Sequence, residues 1–250
     1  MEKQPNGPAV PRLAATLLLL RDDPFEVLMV RRHANAVFAS ALVFPGGAIE
    51  PGDYDDGWAQ LIDDPDGLDR DERALRIAAI RETWEETGVL AARGSEGLET
   101  APLAAVQGQP FRDLVEVSGM RLALNIVQPF GHWVTPEQEP RRFDTHFFLA
   151  RMPSEQVAVS DGGETVEIEW VNPTAAVART AAGDRSIIFP TLMNLSRLAE
   201  SDDTSNALAV AASRPHFTVQ PQIVTKEDGS RMIVIPDEAG YALTEYPVTW

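Results

Sequence analysis

The chain of 250 residues contains no cysteine. Disulfide frameworks, zinc ribbons, iron–sulfur clusters and thiol catalysis are therefore excluded together. Basic residues are also few, because 21 lysines and arginines stand against 38 aspartates and glutamates and leave a formal net charge of −17. A surface of this sign does not neutralise nucleic-acid phosphates or an anionic membrane, so we expect neither partner. A polyanionic ligand would have to be held by a multivalent cation.

Long apolar runs are missing as well. The longest run near the start, Leu13 to Leu20, has eight residues between two arginines and is too short to cross a bilayer. Two aspartates follow it without the cleavage pattern of a signal peptide, so we expect a buried strand there and a cytoplasmic protein. With 44% hydrophobic and 24% charged residues, the composition is that of a globular protein with one well-cored domain or two small ones.

The alternation of strand and helix patterns indicates an α/β fold with a mixed sheet. Strands are expected at Ala15–Leu20, Glu26–Arg32, Ala41–Phe44, Val127–Val134, His146–Arg151 and Val166–Val171. Helices are expected at Asp69–Gly88, Phe111–Val117 and Thr191–Glu200. Two further extended runs predict a C-terminal hairpin around Glu227-Asp228-Gly229, namely Phe217–Thr225 and Arg231–Ile235.

The chain divides into three expected parts: a flexible arm over 1–12, a main domain over 13–200 and an extension over 201–250 packed on the same domain. The main domain carries an acidic insertion at about 54–70. Between Asp53 and Glu72 there are nine carboxylates and one arginine, a density typical of a solvated excursion. The acids lack the spacing of an EF-hand loop, which excludes that kind of calcium site.

The segment that carries chemistry is Arg-Glu-Thr-Trp-Glu-Glu-Thr-Gly at 81–88. On a helix, Glu82, Glu85 and Glu86 stand at positions i, i+3 and i+4, so their carboxylates crowd onto one face with Cβ atoms about 5–6 Å apart. Such crowding is repulsive without a partner, and three oxygen ligands around Mg²⁺ or Mn²⁺ would remove the repulsion. Taken by themselves, glutamates in this pattern are more often a solvated helix face.

The residues before this helix favour the metal site. Phe44-Pro45-Gly46-Gly47 and Asp53 precede it, and the pattern Gly-Gly…acid…Arg-Glu-x-x-Glu-Glu-x-Gly resembles the signature of the Nudix hydrolases. The resemblance implies a Nudix-type α/β/α sandwich with a mixed sheet. The roles that it implies are metal ligation by Glu82, Glu85, Glu86 and the Gly46 carbonyl, a bidentate carboxylate pair made by Arg81, a turn at Gly47, and Asp53 in place of the family's first glutamate.

Three features depart from the family pattern. Asp53 and Arg81 are separated by 27 residues, about twenty more than the family has. Aspartate replaces glutamate at position 53, which shortens the reach of the carboxylate. Thr83 stands where a bulky aliphatic residue is usual. The insertion leaves the helix intact and puts in question whether Asp53 keeps its family role.

Features outside the signature indicate a subgroup. The long insertion, the run 27–32 and the run 133–148 resemble the Nudix subgroup that contains the peroxisomal-type coenzyme A diphosphatases. A coenzyme A motif of that subgroup lies before the glycines, and Arg31 matches it. The motif also calls for a second arginine and a glycine, where this chain has Ala36 and Ser40.

The resemblance implies divalent-metal-dependent hydrolysis of a pyrophosphate bond in a nucleoside diphosphate linked to another moiety. Coenzyme A and acyl-coenzyme A are the first candidate substrates, and ADP-ribose or a dinucleotide is the alternative. A non-catalytic Nudix-like ligand sensor is an alternative of another class. The expected cofactor is Mg²⁺ or Mn²⁺, the expected partner is a small nucleoside diphosphate derivative, and a homodimer is left open because many Nudix proteins dimerise.

The residue that activates the attacking water has three candidates: Glu82, Asp53 and Glu164. For substrate binding we single out Arg31, Phe44, Gly47 and Arg141. Arginine suits phosphate recognition. An ion pair with Asp144 or with the acidic insertion is an equally good interpretation of Arg141 or its neighbour Arg142. Phe44 and Trp133 are candidates for stacking on an adenine, and a place in the core is the alternative. The four histidines show no ligand spacing, so we expect structural or surface roles for them.

Overall fold

The structure is a computed structural model that describes residues 7–32, 41–63, 67–93, 110–160, 165–184 and 187–248. The helices are α1 Arg70–Thr87, α2 Phe111–Ser118, α3 Pro173–Ala181, α4 Phe189–Leu198 and α5 Thr204–Ser213. The strands are β1 Arg12–Arg21, β2 Glu26–Arg32, β3 Leu42–Val43, β4 Gly46–Ala48, β5 Ala92–Arg93, β6 Arg121–Leu122, β7 Gln128–Val134, β8 Phe143–Arg151, β9 Thr165–Val171, β10 Thr218–Val219, β11 Gln222–Thr225, β12 Arg231–Val234 and β13 Glu245–Pro247. Within these ranges, no helix is both long and apolar enough to cross a membrane.

An eight-stranded mixed sheet forms the centre of the fold. Its order is β10-β7-β8-β1-β2-β3, with β4 paired to β1 and β9 paired to β2. Strand β1 is parallel to β8, with Leu17 opposite Phe148, and antiparallel to β2 and β4. The apolar run from Leu13 to Leu20 is therefore a central strand covered on both faces, which explains its continuous hydrophobic character.

Alternate side chains of β1 enter two separate cores. Leu17 and Leu19 pack in the core that contains the apolar face of α1. Leu18 and Leu20 point the other way and pack with apolar residues of α4 and α5. The sheet is thus a middle layer with helices on both sides, and the expected α/β/α sandwich is confirmed.

Helix α1 has the ends that its sequence predicts. The carboxylate of Asp69 caps the N-terminus by accepting a hydrogen bond from the backbone N–H of Glu72 at 2.9 Å. Gly88 ends the helix in the left-handed conformation, with φ 69°, and its N–H bonds to the carbonyl of Trp84. Because both ends are fixed, the glutamates of the last turns hold a defined position against the sheet.

The acidic insertion is anchored by apolar residues within it. Two short 3-10 turns, Pro51–Tyr54 and Asp56–Gln60, begin it. Trp58 is 2% exposed, packs on Phe111 at 5.7 Å between ring centroids, and donates from Nε1 to the carbonyl of Gly52 at 2.9 Å. The expectation of a solvated excursion is thus correct for exposed acids such as Asp56. It is wrong for the apolar residues that anchor the insertion in the core. Residues 64–66 of the insertion lie outside the described residues.

Two helices were not expected from the sequence. Helix α5 begins at Thr204 behind an Asp203 cap, within the extension and before the expected hairpin. Helix α3 follows an Asn172 cap with Pro173 in its first turn. Both helices are rich in alanine and carry few large apolar side chains, so their periodicity is weak.

The C-terminal extension contributes to the main core. The expected hairpin forms between β11 and β12, where Thr225 lies opposite Arg231, and β13 adds a third strand. The expected strand Phe217–Thr225 is divided into β10 and β11 before Pro221, because proline has no N–H to donate. Tyr241 is buried with β1 side chains in one cluster. Residues 1–6 of the expected arm lie outside the described residues, and the domain limits stay a prediction.

Candidate active site

Two glycines bring bare backbone against α1. Gly46 and Gly47 lie in β4, opposite Thr16 and Ala15 of β1. A Cβ atom on Gly47 would lie 2.3 Å from an oxygen of the Glu82 carboxylate. A Cβ on Gly46 would lie 2.5 Å from the carbonyl oxygen of Ala15. Side chains are therefore excluded at both positions, and the expected bare backbone takes the form of a short strand instead of a tight turn.

Asp53 and Arg81 form a buried ion pair. The Nε atom of Arg81 lies 3.0 Å from Oδ1 of Asp53, and Nη2 lies 3.0 Å from Oδ2. Oδ2 also accepts the backbone N–H of Glu50 at 2.8 Å. The two side chains are almost fully buried, and Nη2 of Arg81 donates further to the carbonyl of Ala48 at 3.1 Å. Although 27 residues separate them, the insertion returns the chain so that the bidentate pair forms.

Arg81 also holds two of the glutamates. Its Nη1 atom lies 2.7 Å from Oε1 of Glu82 and 3.2 Å from Oε2 of Glu85. Burial by itself lowers the pKa of Arg81, but the hydrogen bonds with Asp53 and the charges of the three carboxylates outweigh it, so the pKa is raised. The guanidinium therefore stays charged and keeps these carboxylates at the end of α1 next to the glycines.

The three glutamates differ in exposure. Glu86 is buried and accepts the backbone N–H of Gly46 at 3.2 Å. The Glu82 side chain is 14% exposed and that of Glu85 is 43% exposed. Burial raises the pKa of Glu85 to about 7. The charge of Arg81 opposes this shift, and the charges of Glu82 and Glu50 add to it. A cluster of carboxylates that is open on one side, where Glu85 resists ionisation, fits a divalent cation with oxygen ligands.

The chain matches the family described as the NUDIX domain over residues 10–192. It belongs to the Nudix family. A Caenorhabditis elegans protein with the provisional name nudix hydrolase 7 is 30% identical over 200 residues, covering 77% of this chain and 62% of that protein. The acyl-coenzyme A diphosphatase NUDT19 of Gallus gallus is 26% identical, covering 86% of this chain and 72% of that protein. This Nudix chain spans about three fifths of the length of the C. elegans relative.

A solved Nudix structure supports the fold. The NUDIX hydrolase from Alicyclobacillus acidocaldarius is 31% identical and has a TM-score of 0.71 to this chain, covering 82% of this chain and 99% of that one. Together with the relatives named acyl-coenzyme A diphosphatase, it confirms the expected family and the resemblance to that subgroup. The family match over residues 10–192 runs through the insertion between Asp53 and Arg81.

The two candidate arginines lie at the same end of the sheet as the glycines, because β2 ends where β1 and β8 begin. Arg31 of β2 is paired across strands with Glu167 of β9, with Nε and Oε2 2.8 Å apart. Arg141 is exposed just before β8. Its neighbour Arg142 is buried and donates to the carbonyls of Thr135 and Ala9. Of these two arginines, Arg141 is the one that faces solvent.

Two aromatic candidates lie in the core. Phe44 is 3% exposed and packs edge-on against Phe147, with ring centroids 6.5 Å apart. Trp133 is equally buried and donates from Nε1 to the hydroxyl of Tyr241 at 3.2 Å. A buried ring offers no face for stacking on an adenine, so the core alternative describes both residues. Glu164 lies outside the described residues, and its role stays a prediction.

One group of side chains that can ligate a metal was not predicted from the sequence. It consists of His132, Asp144 and His146, and we call it the His–Asp–His cluster. The Nε2 atom of His132 lies 2.5 Å from Oδ1 of Asp144, and the two imidazole rings stack at 3.9 Å. Burial lowers the pKa of His146 to about 4, with the charge of His132 adding and that of Asp144 opposing. Asp144 therefore pairs with histidines instead of Arg141 or Arg142. The Asp-x-His spacing was visible in the sequence, but the pairing of β7 with β8 was not.

Proposed function

We propose that the chain hydrolyses a pyrophosphate bond in a nucleoside diphosphate linked to another moiety, with a divalent cation bound at the end of α1. The observation that carries this proposal is the contact between Gly47 and Glu82, in which the glycine backbone leaves no room for a Cβ atom. Glu86 accepts a hydrogen bond from the backbone of Gly46 in the same place. Carboxylates and bare backbone thus converge on one position, as a site for a cation and a phosphate requires.

The residues proposed to hold the cation are Glu82, Glu85, Glu86 and the carbonyl of Gly46. All of these ligands are oxygen atoms, which suits Mg²⁺ or Mn²⁺. When bound, the cation neutralises phosphate charge and lowers the pKa of the attacking water. The open side of Glu85, with 43% of its side chain exposed, leaves room for substrate oxygens.

Arg81 and Asp53 act as positioning residues in this proposal. Both oxygens of Asp53 accept hydrogen bonds from Arg81, and one of them also accepts the N–H of Glu50. A carboxylate engaged in this way is poorly placed to take a proton from water. We therefore assign Asp53 to the orientation of Arg81, which in turn orients Glu82. Glu82 and Glu164 are the remaining candidates for the residue that activates the water.

The proposed substrate is coenzyme A or an acyl-coenzyme A. Support comes from the relatives named acyl-coenzyme A diphosphatase, and from the position of Arg31 and Arg141 at the end of the sheet where the glycines lie. Arginine is suited to the phosphates of such a substrate. The alternatives are ADP-ribose or a dinucleotide, and a non-catalytic ligand sensor. The homodimer also stays a prediction.

The test is a substrate panel with identified products. Coenzyme A, an acyl-coenzyme A, ADP-ribose and NADH are each incubated with the protein and Mg²⁺ or Mn²⁺, and the products are separated by chromatography. We expect 4′-phosphopantetheine or its acyl form together with adenosine 3′,5′-bisphosphate from the coenzyme A substrates. Faster cleavage of ADP-ribose or NADH would replace the substrate assignment, and binding without cleavage of any compound would favour the sensor.

A further inference from the structure

The His–Asp–His cluster lies on the same face of the sheet as α1. His132 of β7 and His146 of β8 are directly opposite each other in the antiparallel register, and Asp144 precedes His146 by two residues. All three side chains therefore point to one face. His146 is also opposite Ala15 of β1, whose side chain packs in the core beneath α1. The proposed hydrolysis makes no use of this cluster.

The distances within the cluster suit a tetrahedral metal ion. Nitrogen and oxygen ligands at about 2.0–2.2 Å from such an ion lie roughly 3.3–3.5 Å from one another. The Nε2 atoms of His132 and His146 lie 2.5 and 3.7 Å from Oδ1 of Asp144, which brackets that spacing. The ligand atoms of all three residues lie within 4.8 Å of one another. Because the two rings are stacked, they must rotate apart for both Nε2 lone pairs to point at one ion.

A hydrogen bond at the ring nitrogen that does not contact Asp144 fixes the orientation of His132. Its Nδ1 atom lies 2.8 Å from Oγ1 of Thr218, on β10, which runs parallel to β7. A hydrogen bond at one ring nitrogen holds the imidazole and leaves the other nitrogen for a metal, as in most protein sites with histidine ligands. The stacked ring of His146 lies at 24° to that of His132, and both Nε2 atoms face Asp144.

The donor set differs from that of the glutamate site. Two imidazole nitrogens and one carboxylate favour Zn²⁺ and similar first-row cations, whereas Mg²⁺ prefers oxygen ligands alone. The three side chains are 25%, 33% and 29% exposed, so an ion can enter from solvent. Ala15 pairs with Gly47 on one side and with His146 on the other. With strands about 4.8 Å apart, the cluster lies roughly 10 Å from the glycine strand and shares no ligand with it.

We propose that His132, Asp144 and His146 form a second metal site, which binds Zn²⁺ or a similar late first-row divalent cation. Three protein ligands leave a fourth position for water or for a ligand from solution. The site joins two neighbouring strands and is independent of the glutamates of α1. It therefore stands whether or not the proposed hydrolysis is correct.

The test uses the full chain, freed of metal by chelation and then supplied with excess Mg²⁺ to occupy oxygen-ligand sites. Zn²⁺ affinity is measured by competition with a chromophoric chelator, and Co²⁺ is added separately to record its visible absorption. We expect a single Zn²⁺ site and a Co²⁺ spectrum with nitrogen ligation. His132→Asn and His146→Asn should each weaken Zn²⁺ binding at least tenfold. His216→Asn, at an exposed histidine outside the cluster, should leave it unchanged.

The proposal is wrong if the wild-type chain binds no Zn²⁺ under these conditions. It is equally wrong if folded His132→Asn and His146→Asn variants bind Zn²⁺ as the wild type does. Circular dichroism establishes that each variant is folded. If a histidine variant fails to fold, Asp144→Asn is measured in the same assay, because it removes the charge of the aspartate and keeps its shape. Unchanged Zn²⁺ binding by that variant would contradict the proposal.

Discussion

The glutamate site of α1 and the His–Asp–His cluster face the same side of one sheet and are built in opposite ways. The first consists of carboxylates on one helix, held by the buried guanidinium of Arg81 and by glycine backbone. The second consists of two imidazoles and a carboxylate on two paired strands. Helical spacing creates the first within a few residues of sequence, whereas only the register between distant strands creates the second. Because their donor atoms differ, the two sites suit different cations.

The strongest way to break this comparison is to remove one oxygen ligand. Glu86→Gln keeps the shape and the hydrogen bond from Gly46 but removes the charge, so we expect metal-dependent hydrolysis to fall at least about 100-fold. The control is Glu116→Gln, at an exposed acid on α2. Initial rates at saturating Mg²⁺ measure the effect. Equal rates in both variants would remove Glu86 from the site.

A substitution at the glycines sharpens the role of the backbone. In Gly47→Ala the added Cβ would lie 2.3 Å from the Glu82 carboxylate, which must therefore move. We expect Mn²⁺ affinity to fall about 10-fold to 100-fold, measured by calorimetry. The matched control is Gly52→Ala, because a Cβ there meets no atom within 4 Å. If both variants bind Mn²⁺ alike, close approach of the backbone does not matter.

The ion pair behind the glutamates is tested by Arg81→Lys. Lysine keeps the charge but cannot replace the bidentate contact with Asp53, so that buried carboxylate loses a partner. We expect the free energy of unfolding in urea with chelator present to fall by about 1–3 kcal/mol. Arg112→Lys, at an exposed ion pair with Asp55, should change it by less than about 0.5 kcal/mol. Similar losses in both variants would contradict the role of the pair.

The two regions should also differ in the pH dependence of stability, on which they act in opposite directions. The pKa of Glu85 is raised from 4.5 to about 7 on folding, so its contribution is lost as the pH rises through that interval in metal-free protein. The pKa of His146 is lowered from 6.5 to about 4, so its contribution is present above pH 6.5 and is lost as the pH falls.

Difference curves separate these two contributions. The stability of the wild type relative to Glu85→Gln should fall from about pH 4.5 to 7. Relative to His146→Asn it should rise from about pH 4 to 6.5. Urea unfolding of chelated protein at several pH values measures both. Parallel slopes in the two comparisons would show that the two regions do not differ in this way.

Features with local causes were predicted from the sequence. The bounds of α1 follow from an aspartate cap and a terminal glycine, and the placing of three glutamates on one face follows from their spacing. The strands β1 and β2 were predicted from apolar runs. The family resemblance supplied the sandwich, which local patterns do not specify.

Features that depend on tertiary contacts were not predictable in this way. Whether Asp53 still reached Arg81 depended on how the insertion folds, including the burial of Trp58 and its hydrogen bond to the carbonyl of Gly52, next to Asp53. The histidine cluster required the register of β7 against β8. Phe44 was ambiguous because an aromatic residue at a strand end is equally suited to a ligand and to a core.

The most direct test of the glutamate site is a crystal structure with Mn²⁺, in which anomalous scattering locates the ion. The account places the strongest Mn²⁺ peak among the carboxylates of Glu82, Glu85 and Glu86 and the carbonyl of Gly46. Repeating the measurement with Glu86→Gln should weaken that peak. A strongest peak at another position, or one that is unchanged by Glu86→Gln, would contradict the assignment of these residues as the metal site.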